Sequence, residues 1–183
     1  MGYFQAAANI LSPLVSPAME EWYAVQVRAR HEKKVAALLE EKHVTNYLPV
    51  ISQVRRWSDR RMRVEFPLFS CYTFVQLDGS PESYIKVLRT PGVLRMVGLG
   101  YEPVAIPEKQ IDDVRLLLSR DVPCWEHPFL NVGQRVRVRG GIFDGLEGIL
   151  VACNSDRKLV ISISAIQRSI AIRLGDCQIE PVR

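Results

Sequence analysis

The sequence predicts an α+β chain in two parts: a ferredoxin-like domain carrying a protruding β-hairpin, then a small all-β barrel. Three observations predict this. From Trp22 to Leu118 the periods run strand, helix, strand, arm, strand, helix, strand, helix, close to a split β-α-β order. An arginine-dense run, Val54 to Val64, interrupts that order. From Val132 onward no helical period remains, and short alternating strands are punctuated by Gly140, Gly141, Gly145 and Gly148.

Residues 1–19 have an apolar middle, Ala6 to Val15, broken by Pro13 and lacking a basic leader. It is too short to span a membrane and is expected to be a flexible tail. The first domain is expected over 20–119. Trp22 to Arg28 is aromatic and β-branched, hence a strand. His31 to Lys42 places Val35, Leu38 and Leu39 on one helical stripe. Asn46 to Val54 is a second strand, and Ser58-Asp59 marks the tip of the arm. Phe69 to Leu77 is the most apolar strand. Ser80-Pro81-Glu82 has the cap, first-position proline and first-turn acid of a helix start, and that helix ends at Thr90-Pro91-Gly92. Val93 to Val97 is a short strand, and a third helix after Pro107 aligns Ile111, Val114, Leu117 and Leu118. The helices are expected on one face of a mainly antiparallel sheet. Residues 120–131, with Pro123 and Pro128, are expected to be a linker, and 132–183 the barrel.

Composition narrows the function classes. The 183 residues carry a net charge of +4 with a pI near 9.0, which admits a nucleic-acid neighbour without requiring one. Cys71, Cys124, Cys153 and Cys177 form no C-x-x-C pair and share no ligand spacing with His31, His43 or His127. Buried free thiols are expected, with no metal, no cofactor and no disulfide framework. No nucleophile motif or phosphate-binding glycine loop is present, so the chain is not expected to be an enzyme. Asp112-Asp113 is expected to be a solvated helix face. No later segment is apolar and long enough to cross a membrane, so a cytoplasmic monomer is expected.

Two stretches carry a family resemblance. Val132-Gly133-Gln134-Arg135-Val136-Arg137-Val138, followed by Gly141-Ile142-Phe143-Asp144-Gly145-Leu146-Glu147-Gly148-Ile149-Leu150, resembles the KOW motif. Gln134 and Ile142 stand where an aspartate and a proline are usual, and Gly148 takes the motif's glycine, where it is expected to turn the chain free of a side-chain clash. Trp22-Tyr23, His31-Glu32-Lys33-Lys34 and Phe66-Pro67-Leu68-Phe69-Ser70-Cys71-Tyr72-Thr73-Phe74-Val75 resemble the N-terminal (NGN) domain of NusG, with Ser70 and Cys71 replacing proline and glycine. Both domains in this order cover Glu21 to Val182. The Arg56-Trp57-Ser58-Asp59-Arg60 arm resembles the specialised UpxY, RfaH and LoaP branches of bacterial paralogues.

That resemblance implies a transcription elongation or antitermination factor that binds the RNA polymerase clamp region, suppresses pausing and promotes transcription of selected operons. Phe69, Tyr72, Phe74 and Leu99 match the polymerase-binding positions. A few aromatic anchors suit such an interface. Arg28, Lys34 and Thr90 match positions that touch non-template DNA or a nascent RNA hairpin, whereas Leu38 and Pro91 depart from the RfaH pattern. From residue chemistry, Arg55, Arg56, Arg60, Arg61 and Arg63 with Trp57 form the stronger nucleic-acid candidate, since arginine grips phosphate and tryptophan stacks on an unpaired base. Phe143, Ile166 and Arg168 match positions in the barrel that recruit a small-subunit ribosomal protein or Rho, with Ile166 replacing an aromatic. Arg135, Arg137 and Arg139 share a strand face that would suit RNA instead. The Ile- and Val-rich alternation predicts a barrel that stays β rather than refolding as helices. A ribosome-associated or general RNA-binding protein, and housekeeping NusG, remain the alternative readings.

Overall fold

The computed structural model describes residues 20–56, 61–99, 102–120, 122–127, 129, 133–153, 156–175 and 177–182. The expected N-terminal tail, Trp57 and Arg60 lie outside the described residues.

The first domain is built around β1 (Glu21–Val27). It continues with α1 (Glu32–Glu41), β2 (Asn46–Tyr47), β3 (Val50–Arg56), β4 (Arg61–Pro67), β5 (Tyr72–Leu77), α2 (Pro81–Leu88), β6 (Val93–Met96), β7 (Gly98–Leu99), β8 (Glu102–Pro103), β9 (Ala105–Ile106) and α3 (Glu108–Ser119). The sheet order is β2-β5-β1-β6, with β9 also on β1, and every pairing is antiparallel. β3 and β4 pair with each other from Val50↔Pro67 to Arg56↔Arg61, which is the expected arm. The expected strand from Asn46 is divided at Leu48-Pro49, since Pro49 has no N–H to donate to a ladder.

Register on β1 sorts the core into two faces. Ala24 lies opposite Phe74 and Gln26 opposite Tyr72, while Tyr23 lies opposite Val75 and Val25 opposite Thr73. Tyr23, Val25, Val27, Val75 and Leu77 pack with Val35 and Leu39 of α1 and Val87 of α2. Trp22, Ala24 and Phe74 pack with Ile111, Val114 and Leu117 of α3. Helices therefore cover both faces, not one. Apolar residues run without alternation from Trp22 to Val25 because both parities are buried there. α2 starts as its sequence predicts: the Ser80 hydroxyl accepts the Ser83 N–H at 3.3 Å, and Pro81 follows. Such a cap contributes about 1 kcal/mol.

The second domain comprises β10 (Cys124–His127), β11 (Arg135–Arg139), β12 (Glu147–Cys153), β13 (Asp156–Ile163), β14 (Arg168–Arg173) and β15 (Gln178–Pro181). They form one antiparallel sheet in the order β10-β14-β13-β12-β11-β15. Val136, Val138, Leu146, Leu159, Ile161, Ile163, Ile170, Ile172 and Leu174 fill its interior. The all-β second domain thus matches expectation. The stretch expected as a linker does not stay irregular, because Cys124 to His127 adds a strand to the edge of β14. That strand was hidden by its flanking prolines and by its short length.

Gly148 sits within β12 opposite Val136, not at a turn. Its lack of a side chain is still required, since a Cβ there would stand 2.5 Å from the Val160 carbonyl oxygen and 3.0 Å from the Leu159 side chain. Gly148→Ala is therefore expected to destabilise the barrel by about 1–3 kcal/mol, read as a lower denaturant midpoint with an unchanged slope.

Candidate functional site

The aromatic positions divide by burial. Phe69 and Phe74 are 1% and 0% exposed and meet edge to face at 5.9 Å, with Tyr47 stacked on Phe74 at 6.4 Å. Both act from beneath the surface. Tyr72 is half-buried against the same cluster, and Leu99 is 81% exposed at the end of β7. The four expected residues therefore do not form one exposed patch. The register instead aligns Tyr72, Gln26 and Arg95 across β5, β1 and β6 on one face, and Arg95 Nε donates to Gln26 Oε1 at 2.8 Å. Gln26 and Arg95 were not singled out from sequence, because only strand register shows them beside Tyr72. At the other end of this face the Arg115 guanidinium lies 4.7 Å from the Trp22 ring and 5.1 Å from the Tyr47 ring. Burial pushes the Tyr47 hydroxyl up to about 12 against the pull of Arg115. Trp22 Nε1 is buried without a hydrogen-bond partner among the described residues.

The turn before Tyr72 is made by Ser70 and Cys71. Cys71 adopts φ +68°, a left-handed conformation that favours glycine. Its N–H donates to Glu32 Oε1 at 2.8 Å and its carbonyl accepts from the Val27 N–H at 2.9 Å.

The basic candidates gather around the start of α1 and the base of the arm. Arg28, Arg30 and Lys34 are exposed. Lys33 pairs with Glu65 at 3.0 Å, tying α1 to β4, and Arg63 Nε donates to Ser52 Oγ at 2.6 Å. Lys33, Ser52, Arg63, Val64 and Glu65 line a shallow cleft of about 630 Å³. The backbones of Arg55, Arg56 and Arg61 belong to the paired strands, while their side chains lie outside the described residues. Thr90 stands apart from this group. It is 2% exposed, and its hydroxyl donates to the Lys86 carbonyl and accepts from Lys42 Nζ at 2.8 Å, which fastens the end of α2 to α1.

On the barrel, Phe143 and Ile166 are each 6% exposed and Arg168 is half-buried. Arg137 pairs with Glu147 at 2.5 Å and Arg139 with Glu180 at 2.6 Å, so two of the three arginines on β11 are neutralised. Among the described residues no group of His, Cys, Asp and Glu is arranged to hold a metal. Cys71, Cys124 and Cys177 are free and half-buried rather than fully buried, and burial pushes the Cys124 thiol up.

The domains touch through α3. Lys109 Nζ donates to the Gly145 carbonyl at 3.3 Å and Gln110 Oε1 accepts the Ser164 N–H at 3.2 Å. Asp113 is 5% exposed, pairs with Lys109 and lies near Glu147. Only Asp112 of the acidic pair is solvated, bonded to Arg115 at 3.1 Å. The turn Ser164–Ile166 meets β9, so Ile166 lies beside the first domain.

Comparison with known proteins gives a consistent result. The family described as transcription termination factor nusG matches residues 20–115, more than half of the chain. The transcription termination/antitermination protein NusG of Lactococcus lactis is 28% identical over 174 residues, covering 88% of this chain and 93% of that protein. That of Borreliella burgdorferi is 25% identical over 181 residues, covering 88% and 98%. A solved structure described as "Domain interaction in Thermotoga maritima NusG" superposes with a TM-score of 0.54 at 21% identity, over 91% of this chain and 99% of that one.

Asp113 is expected to make the domain contact sensitive to pH. Burial raises its carboxyl above the ordinary carboxylate range, the Lys109 hydrogen bond and charge oppose this, and the Glu147 charge reinforces it. A raised carboxyl favours the packed arrangement while protonated and loses that contribution as pH rises through its packed-state value. Small-angle scattering is expected to show the domains closing as pH falls from neutral into the carboxylate range. Asp113→Asn is expected to remove that dependence.

Proposed function

The chain belongs to the NusG family of transcription termination and antitermination factors, and on that premise we propose that it binds the RNA polymerase clamp region through the first-domain face carrying Tyr72, shortens pauses and favours processive transcription of selected operons. The observation that carries this reading is Tyr72 itself: a half-buried aromatic seated on the Phe69–Phe74 cluster at the open end of a sheet face. A rigid aromatic on a preformed apolar base binds at low entropic cost. Phe69 and Phe74 set its height, and Leu99 adds an exposed contact from β7. The factor makes and breaks no bonds. It acts by binding the active state of polymerase more tightly than the paused state.

The arginine arm and the Arg28–Lys34 cluster are proposed to meet non-template DNA or a nascent RNA hairpin, by phosphate attraction. Thr90 is left out of that proposal because its hydroxyl is committed within the fold. The barrel is proposed to recruit a small-subunit ribosomal protein or Rho through Phe143, Ile166 and Arg168. For Ile166 this needs the turn Ser164–Ile166 to leave β9. The arm and Ile166 in place of an aromatic favour an operon-selective factor. The near full-length match to NusG proteins favours a second reading, a general factor. Pause shortening on unrelated templates as strong as on the chain's own operon leader selects the second.

In vitro transcription across strong pauses tests the central reading. Wild-type protein is expected to shorten the pauses, and Tyr72→Ala to need about tenfold more protein for the same effect, the scale of one lost anchor. Arg61→Ala with Arg63→Ala is expected to flatten the salt dependence of binding by about two phosphate contacts at most. Wild-type protein that neither binds polymerase nor alters pausing sinks the proposal and promotes the ribosome-associated alternative.

A further inference from the structure

Glu32 is a carboxylate buried to 6% exposure, and the polymerase reading above gives it no task. It opens α1, where its charge suits the helix N-terminus. Its side chain nevertheless crosses to another element, where Oε1 accepts the Cys71 N–H at 2.8 Å. That N–H belongs to a non-glycine residue at φ +68°, next to Tyr72. On its other side the Cys71 carbonyl is held by the Val27 N–H, so both polar groups of this residue are fixed from outside the turn.

We propose that Glu32 is the positioning residue for Tyr72: its carboxylate holds Cys71 left-handed, and that one dihedral sets where the chain enters β5 and how Tyr72 is presented. The inference rests on the proposed role of Tyr72 in binding polymerase. The physical case is a balance. A Cβ at positive φ pushes the residue back towards the extended or right-handed region. A charge-assisted hydrogen bond to a buried N–H opposes that push. Release of Cys71 would re-aim the next side chain, which packs against the cluster that contains Phe69 and Phe74.

The balance makes a specific pattern of epistasis. Glu32→Ala in the full chain is expected to speed exchange of the Cys71 amide and to raise the protein concentration for half-maximal pause shortening about tenfold, the scale of a lost charge-assisted bond. Glu32→Gln retains an acceptor and is expected to stay close to wild type in pausing. Cys71→Gly relieves the steric push, since glycine takes positive φ without penalty. Cys71→Gly placed on Glu32→Ala is therefore expected to restore the pausing midpoint. Should Glu32→Ala alone fail to fold, the double variant is still expected to fold and act. A merely structural glutamate would lower stability in both backgrounds and show no rescue. The inference is overturned if Glu32→Ala leaves Cys71 exchange unchanged, or if the double variant is no better than Glu32→Ala. If wild-type protein does not bind polymerase while Glu32→Ala still frees the Cys71 amide and shifts the Tyr72 ring resonances, the polymerase reading falls and the positioning of Tyr72 stands.

Discussion

Strand β1 is hydrogen-bonded along both edges, to β5 on one side and to β6 and β9 on the other. It is also packed on both faces over most of its length, which makes it the centre of the four-stranded path β2-β5-β1-β6. Burial of Trp22, Tyr23, Val25 and Val27 contributes roughly 1.5–3 kcal/mol for each large side chain. Because side chains alternate, the strand hands each face a different job. Tyr23, Val25 and Val27 are locked under α1 and α2 and serve the fold. Trp22, Ala24 and Gln26 run from a covered end to an open one. α3 closes over Trp22 and Ala24, and the row Gln26, Tyr72, Arg95 lies beyond them. The candidate polymerase face is the part of the sheet that α3 leaves open.

α3 has a second neighbour. Ile111, Val114 and Leu117 face the sheet, while Lys109, Gln110 and Asp113 face the barrel. The barrel meets the helix with small side chains. Val160 lies opposite Ala171 and Ser162 opposite Ser169, on the face of β13 and β14 that alternates with Leu159, Ile161, Ile170 and Ile172 in the interior. Val160, Ser169 and Ala171 are fully buried without being part of that interior. Small residues allow close approach, but the bonds across the contact are to backbone carbonyls and amides that water satisfies equally well. The buried apolar residues of the two domains nevertheless join in one continuous cluster, so the contact also contains shared core. In this arrangement the turn Ser164–Ile166 packs against β9 and Ile166 is buried.

Element identity was legible wherever local chemistry decides it. Ser80-Pro81 marked the start of α2 and the alternation from Arg135 to Arg139 marked β11, whereas Gly148, expected at a turn, lies inside β12. What stayed hidden depends on contacts distant in sequence. Phe69 read as a surface anchor because its neighbours are apolar and its cover is elsewhere in the chain. Asp113 read as solvated because the barrel that buries it lies some thirty residues on, judged from its Glu147 contact. Thr90 matched a contact position, yet Lys42 occupies its hydroxyl from across the helix pair. Helix period placed α3 correctly without showing that it would sit on the opposite face from α1 and α2.

Charge separates the two domains further. The barrel's arginines look basic in sequence, but Arg137 and Arg139 spend their charge on Glu147 and Glu180 within the barrel. Among the described residues around α1, Lys33 is paired in this way with Glu65, and the bond joins α1 to the arm. Arg28, Arg30 and Lys34 stay exposed beside it, and the arm continues towards the arginines at its end. The net charge of +4 divides as +2 over residues 1–119 and +2 over residues 120–183, so the domains differ in how their basic residues are placed and not in total charge. Arg28, Arg30 and Lys34 lie exposed at the start of α1, on the domain that also carries Tyr72. A nucleic acid attracted there would be held next to the proposed polymerase contact, and each interaction would raise the effective concentration of the other.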